Sequence, residues 1–235
     1  MIFKTGYRDV DYSDFIWTYF DSVDLTKEKP GSDKRRPQLN QIGNEDSLFC
    51  WVKNNWNGNW IQPNEFELTD RQEGWLYCGD GAGEKADFIH AVKHKEHTLI
   101  SLIHVKAAKS NSSKRKVSVG VHDIVLNQAI KNVKYCTRKD LHEALDERIA
   151  ISHKKYCWKD GKAAEASKFL DYLNSIKNNK YTKSRVIVIQ PHTQKSIYEN
   201  AKGSNIRNQL DVLLISAENA IHSTGANFHI FGIHD

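Results

Sequence analysis

Two apolar runs, ADFIHAVKH and HTLISLIHVKAA, follow one another from Ala86 to Ala108 with only the polar pair Lys95-Glu96 between them. No other feature constrains the fold of this chain as much. Each run is short, contains β-branched residues and is bounded by turn residues, which predicts two adjacent strands of a hairpin. A helix is predicted to begin near Val119, with Val121, Val125, Ile130 and Val133 recurring at helical spacing. RKDLHEALDERIAIS and GKAAEASKFLDYLNSIKNN read as two further helices by propensity. KSRVIVIQPHT then reads as a buried strand stopped by Pro191, whose missing amide donor ends a ladder. A helix from about Asn205 to His222 and a last strand, NFHIFGI, complete a mixed α/β pattern.

Upstream, NEDSLFCWVKNN predicts a short helix capped by Asn44, with Leu48, Phe49 and Val52 on its inner side. Trp51, Trp56, Trp60 and Trp75 read as packing residues. The glycine, prolines and charges of KEKPGSDKRRP read as an exposed loop. That divides the chain into an N-terminal arm and loop over 1–40 and an α/β body over 41–235, unless 1–235 is one continuous domain.

With 235 residues, 39% hydrophobic and 27% charged, the composition is that of a globular protein and excludes disordered and fibrous classes. No stretch supplies the roughly 20 apolar residues of a membrane-spanning helix, and MIFKTGYRDVDYSDF lacks the apolar core of a secretory signal. A cytoplasmic protein without membrane partners is the expectation. Cys50, Cys78, Cys136 and Cys157 are far apart with no CxxC pair, which predicts buried, reduced thiols rather than a zinc knuckle or disulfide framework. The net charge of +5 permits nucleic-acid binding without requiring it.

The segment GDGAGEKADFIH, Gly79 to His90, resembles a phosphate-binding loop at first sight. A Walker loop needs GxxxxGK[ST], whereas here Glu84 precedes the lysine and Ala86 comes after it. The Rossmann spacing fails as well, and the run from Ala86 reads as a strand rather than the helix that would hold an anion at its amino end. A nucleotide-binding regulator is therefore the least supported reading.

The acidic residues of the segment offer more. In an antiparallel hairpin Asp87, at the start of one strand, falls near the end of the next, where His104-Val105-Lys106 stand. His104 and Lys106 are two apart and so are expected on one face. Asp87, Glu84 and the Val105 carbonyl would offer oxygen ligands to a hard cation such as Mg2+. Lys106 would assist an attacking water or the transition state of phosphodiester cleavage. The same residues also fit a plainer role, Asp87 ending a strand and Lys106 snorkelling from a sheet edge. His90, His94 and His97 read as scattered surface histidines, and His122 as structural. The basic loop KSNSSKRK reads as mobile and exposed, with Lys109, Lys114, Arg115 and Lys116 placed to touch a phosphate backbone.

At GDGAGEKADFI, ISLIHVKAA and IVLNQAIKNV the sequence resembles the restriction-like, PD-(D/E)xK nuclease superfamily. It is more similar to the nuclease domain at the carboxyl end of large bacterial helicase-like proteins of the DEAD/DEAH type, associated with defence against foreign DNA. LDVLLISAENAIHSTGANFHIFGI resembles the end of that domain, so the likeness runs from about Trp75 onward. The resemblance implies a restriction-endonuclease-like core, a central mixed sheet flanked by helices, and metal-dependent DNA cleavage. Asp87 then matches the first metal-binding aspartate, Lys106 the lysine and Gln128 a supporting glutamine, with Glu84 a second ligand. His104 stands where an acidic ligand is expected, which would tilt the preference from Mg2+ toward Mn2+ or another transition metal. Asn132 replaces a tyrosine, with Tyr135 one turn further on, and Glu45 is a candidate for an upstream helical glutamate. The partners implied are DNA and a separate helicase or ATPase subunit, with homo-oligomers allowed. A nuclease-fold module that binds nucleic acid or a partner protein without cutting is the alternative, its catalysis lost through His104 and Asn132.

Overall fold

The computed structural model describes residues 10–33, 36–55, 73–81, 83–94, 97–136, 138–151 and 156–235. In chain order its elements are β1 (Phe15–Thr18), α1 (Leu48–Asn55), β2 (Trp75–Cys78), β3 (Phe88–His94), β4 (His97–Val105), α2 (Val119–Asn132) and α3 (Arg138–Ile151). Beyond them come β5 (Tyr156–Lys159), β6 (Lys162–Ala163), α4 (Ala166–Ile176), β7 (Thr182–Gln194), α5 (Lys195–Asn200), α6 (Asn205–His222) and β8 (Ala226–Ile233). The strands form one eight-stranded sheet in the order β1-β8-β7-β4-β3-β2-β5-β6.

The predicted hairpin lies at the centre of this sheet. β3 and β4 pair antiparallel, Phe88 opposite Ile103 and Ala91 opposite Ile100, while the other edge of β4 pairs parallel with β7. The sheet is therefore mixed, and β4 is buried on both faces, as its apolar run requires. Side-chain alternation sends Ile100 and Leu102 toward one core and Ile103 and Val105 toward the other. Buried residues of α2, α3, α4 and α6 fill the first core; Leu48, Phe49 and Val52 of α1 with Phe20, Leu25, Leu39 and Ile42 fill the second.

The predicted positions of α2, α3, α6 and β8 agree with the structure to within a residue or two, and several other expectations are corrected. The segment read as a helix from Gly161 begins as a hairpin, because Asp160 and Gly161 take positive φ values of 50° and 76° in a two-residue turn that pairs Lys159 with Lys162. α4 starts only at Ala166. β7 runs through Pro191 instead of stopping there. Its ladder with β4 ends at Val105–Ile189 and its register with β8 shifts between Ile189 and Gln194, so no pairing amide is demanded of the proline.

The cap of α1 is Ser47 rather than Asn44, its hydroxyl accepting the Cys50 N–H at 3.3 Å. The segment read as an exposed loop is partly inside: Pro30 is buried, Lys27 to Lys29 are half-buried, and the carbonyls of Lys27 and Glu28 accept the Leu48 and Phe49 amides. β1 joins the sheet by parallel pairing with β8. Trp51 and Trp75 are buried; Trp56 and Trp60 lie outside the described residues. All four cysteines are free and buried, and burial pushes the Cys136 and Cys157 thiols up to about 12.

His90 is buried rather than at the surface, its Nε2 bonded to the Glu73 carbonyl at 2.9 Å; His97 is exposed, and the His94 side chain lies outside the described residues. His122 is structural, as expected. A carbonyl can only accept, so Nδ1–H donates to Ser118 (2.9 Å), leaving Nε2 to accept from the Thr193 hydroxyl (3.0 Å). Burial holds His122 down at about 4 and His90 at about 3. Both rings stay neutral in the fold while their unfolded counterparts protonate below about 6.5, so their share of stability is lost as pH falls through that value toward 4. Each contributes a loss of about 1.6 kcal/mol between pH 6.5 and 5. Denaturant unfolding of His122→Gln at the two pH values should show a smaller acid loss than wild type by about that amount. Equal losses would contradict the assignment.

Candidate metal centre

The central hairpin sets the position of the site. Phe88 opposes Ile103, so Asp87, one residue before β3, comes level with His104, and its Oδ2 accepts the Val105 N–H at 2.8 Å. On the other edge of β3, the β2–β3 pair ends at Cys78 opposite Phe88 and opens into the glycine loop. The Gly79 N–H still reaches the Asp87 carbonyl (2.9 Å), and the loop then turns, the Glu84 N–H reaching the Gly81 carbonyl (3.0 Å). Gly83 takes φ +74° in that turn, a value side-chain-bearing residues resist. The Glu84 carboxylate accepts the Gly81 N–H at 3.0 Å, and an Arg148 guanidinium N–H donates to the Asp80 carbonyl at 2.8 Å. The loop thus turns back on itself, a compact fold that its glycines allow.

The result is a group of acidic side chains. Asp80, Glu84 and Asp87 each present a carboxylate oxygen, all within 4.8 Å of one another. Unit charges at such a distance repel by about 3 kcal/mol per pair at an effective dielectric of about 20. Burial raises Asp87 well above the usual carboxylate range, the Glu84 charge adding to it, and burial with the neighbouring Asp80 also raises Glu84. Three crowded oxygen donors, two of them with ionisation suppressed by burial and by a neighbouring carboxylate, suit a hard divalent cation, Mg2+, Mn2+ or Ca2+.

The N-terminal segment supplies two residues that sequence reasoning missed. Lys29 Nζ lies 2.6 Å from Asp80 Oδ1 and 3.6 Å from Glu28 Oε1, and Glu28 Oε2 lies 2.7 Å from Lys106 Nζ. Burial works to lower Lys29, but Asp80, Glu28 and Asp87 outweigh it and hold the ammonium above its ordinary value. Glu45 does not fill the role of the upstream glutamate. It precedes α1, pairs with Lys27 at 2.8 Å and accepts the Gly31 N–H at 3.0 Å, so it anchors the loop.

The remaining candidates divide. An open cleft of about 560 Å³ is lined by Asp80, Glu84, Gln128 and Lys131 together with Lys29 and Asn132, so Gln128 does face the acidic group. A second cleft of about 740 Å³, also lined by Lys29, holds Glu28, Lys106 and Lys109. Tyr135 stands beside the glycine loop, its hydroxyl 3.2 Å from Lys85 Nζ. His104 is not in the acidic group: it is 2% exposed, burial holds it down at about 4, and its Nε2 has no hydrogen-bond partner among the described residues. Lys106 stands one residue past the end of β4, half-buried, and its ammonium reaches Glu28 rather than the acidic group. Val105 contributes its amide to Asp87.

In the basic loop Lys109, Lys114 and Lys116 are exposed, but Arg115 is 7% exposed. Its guanidinium donates to the carbonyls of His192 (2.7 Å), Pro191 (2.8 Å) and Ser112 (2.9 Å). It ties the loop to the end of β7, which corrects the expected phosphate contact of Arg115. Arg115→Ala should therefore destabilise the fold by about 2–4 kcal/mol, leaving three carbonyls short of a partner, while Lys114→Ala should stay within about 0.5 kcal/mol. Denaturant midpoints of the two variants check this, and equal midpoints would contradict it.

No protein-family model, no curated protein and no solved structure matches this chain.

Proposed function

We propose that this chain is a metal-dependent nuclease that hydrolyses phosphodiester bonds of DNA, acting in defence against foreign DNA on a restriction-endonuclease-like core. The observation that carries the reading is the convergence of Asp80, Glu84 and Asp87 at the end of a central hairpin whose next residue is Lys106. A mixed sheet flanked by helices is also what the sequence resemblance implies. Asp87, Glu84 and Asp80 would hold the cation, with the Val105 carbonyl as a further oxygen donor. Bound Mg2+ or Mn2+ supplies an attacking water of lowered pKa and neutralises charge on the phosphate.

The protein groups do the rest. The Val105 amide fixes the orientation of the buried Asp87 carboxylate. Lys106, held beside Glu28, orients the water or stabilises the charge gathering on the phosphoryl oxygens as the water oxygen bonds to phosphorus and the P–O bond to the leaving sugar breaks. Gln128 and Lys131 line the acidic cleft, and exposed Lys109, Lys114 and Lys116 contribute phosphate contacts along the strand. His104 acts as a neutral buried residue, and Asp80 supplies the acidic ligand it lacks. A separate helicase or ATPase partner belongs to the same reading. Among the described residues no helix is long and apolar enough to cross a membrane.

With Mg2+ or Mn2+ and a mixed pool of single- and double-stranded DNA, wild-type protein should release shortened products, and Asp87→Ala should reduce them to background. Lys106→Ala should lower the rate by about 10²–10³-fold. Cleavage unchanged in both variants would remove the assignment; DNA binding without cleavage by wild type would favour the non-cutting alternative.

A further inference from the structure

We infer that Lys29 is the built-in counter-ion of the acidic group and that a divalent cation displaces its ammonium from Asp80 on binding. The inference rests on the metal-centre reading and adds the step by which the centre fills.

Lys29 comes from a segment remote in sequence from the three carboxylates, and its ammonium sits 2.6 Å from Asp80, one of the three proposed ligands. An oxygen that accepts a charge-assisted bond from an ammonium is not free to bind a metal through the same lone pair, so the two cations compete for one ligand. Keeping both in place would put an ammonium and a divalent ion in near contact, and their repulsion favours expulsion of the mobile one.

The surroundings allow that exchange without refolding. The backbone beside Lys29 is fixed: the Lys27 and Glu28 carbonyls accept the first amides of α1, at 2.9 and 3.0 Å, and the buried Pro30 accepts the Gln38 N–H at 2.8 Å. Motion is therefore left to the flexible lysine stem. Lys29 lines both the acidic cleft and the neighbouring cleft that holds Lys106, so open space adjoins this residue in each. Its side chain is 27% exposed, against 7% for Asp80, which gives the cation a path to water and leaves the carboxylate buried.

Calorimetric titration with Mn2+ tests the exchange through four proteins: wild type, Lys29→Met, Lys27→Met and Asp87→Asn. Methionine keeps the stem's packing and deletes the charge. Lys29→Met should bind Mn2+ about tenfold more tightly than wild type, the size of a charge-assisted bond that no longer has to be broken. Lys27→Met removes a nearby charge bonded instead to Glu45 and Asp46, and should shift affinity by no more than about twofold. In unsubstituted protein, acetylation by an amine-reactive reagent, mapped by mass spectrometry, should rise at Lys29 when Mg2+ is added and not rise in Asp87→Asn. Metal binding that Asp87→Asn abolishes, with Lys29 labelling unchanged and equal affinity in Lys29→Met, would overturn the displacement and leave the metal centre standing. No Mn2+ binding by wild type or Lys29→Met would overturn both.

Discussion

The pairing of β3 with β4 is the constraint on which the rest of this structure depends. β4 is antiparallel to β3 on one edge and parallel to β7 on the other, and every one of its residues after His97 is buried. A strand in that position can slip by one residue only by exchanging its two cores, sending Ile103 and Val105 toward the α2 side and Leu102 toward α1. The register is therefore held by hydrophobic burial, and the Val105–Asp87 bond inherits its precision from that packing. Carboxylates that repel one another are kept together because the sheet has already been stabilised elsewhere.

That tension explains the electrostatics around the site. Asp80, Glu84 and Asp87 are crowded within 4.8 Å, and the two whose ionisation is shifted are shifted upward, against charge. Relief comes from the N-terminal segment, where Lys29 meets Asp80, while Glu28 of the same segment is paired with Lys106 at the end of β4. Positive charge thus approaches from chain positions that fold over the α1 side of the sheet, while Gln128 and Lys131 approach from α2. The site is assembled from both layers and from the turn between two adjacent strands.

The range of the forces involved decides how much of this was legible in the sequence. The hairpin, α2, α6 and β8 announce themselves through apolar periodicity, a local signal. Asp87 and Glu84 were legible because they lie within a few residues of the hairpin that positions them; Asp80 shares that loop, but only the turn at Gly81–Glu84 brings it in. Glu28 and Lys29 carried no such signal, since their approach depends on the capping of α1 by the backbone of residues 27 and 28. Arg115 misled for a related reason: in KSNSSKRK it looks like one more solvated cation, and only the bulge around Pro191 creates the carbonyls that bury it. The β5–β6 hairpin had a local cue in Asp160-Gly161, hidden by the helical composition of the residues after it.

The central claim is that the acidic group at the end of the hairpin is a metal centre. Anomalous scattering from a crystal soaked in Mn2+, recorded at the manganese edge, addresses it directly. The account predicts one strong peak among the carboxylates of Asp80, Glu84 and Asp87. A crystal with no peak there, or with its manganese bound only at other side chains, would contradict it.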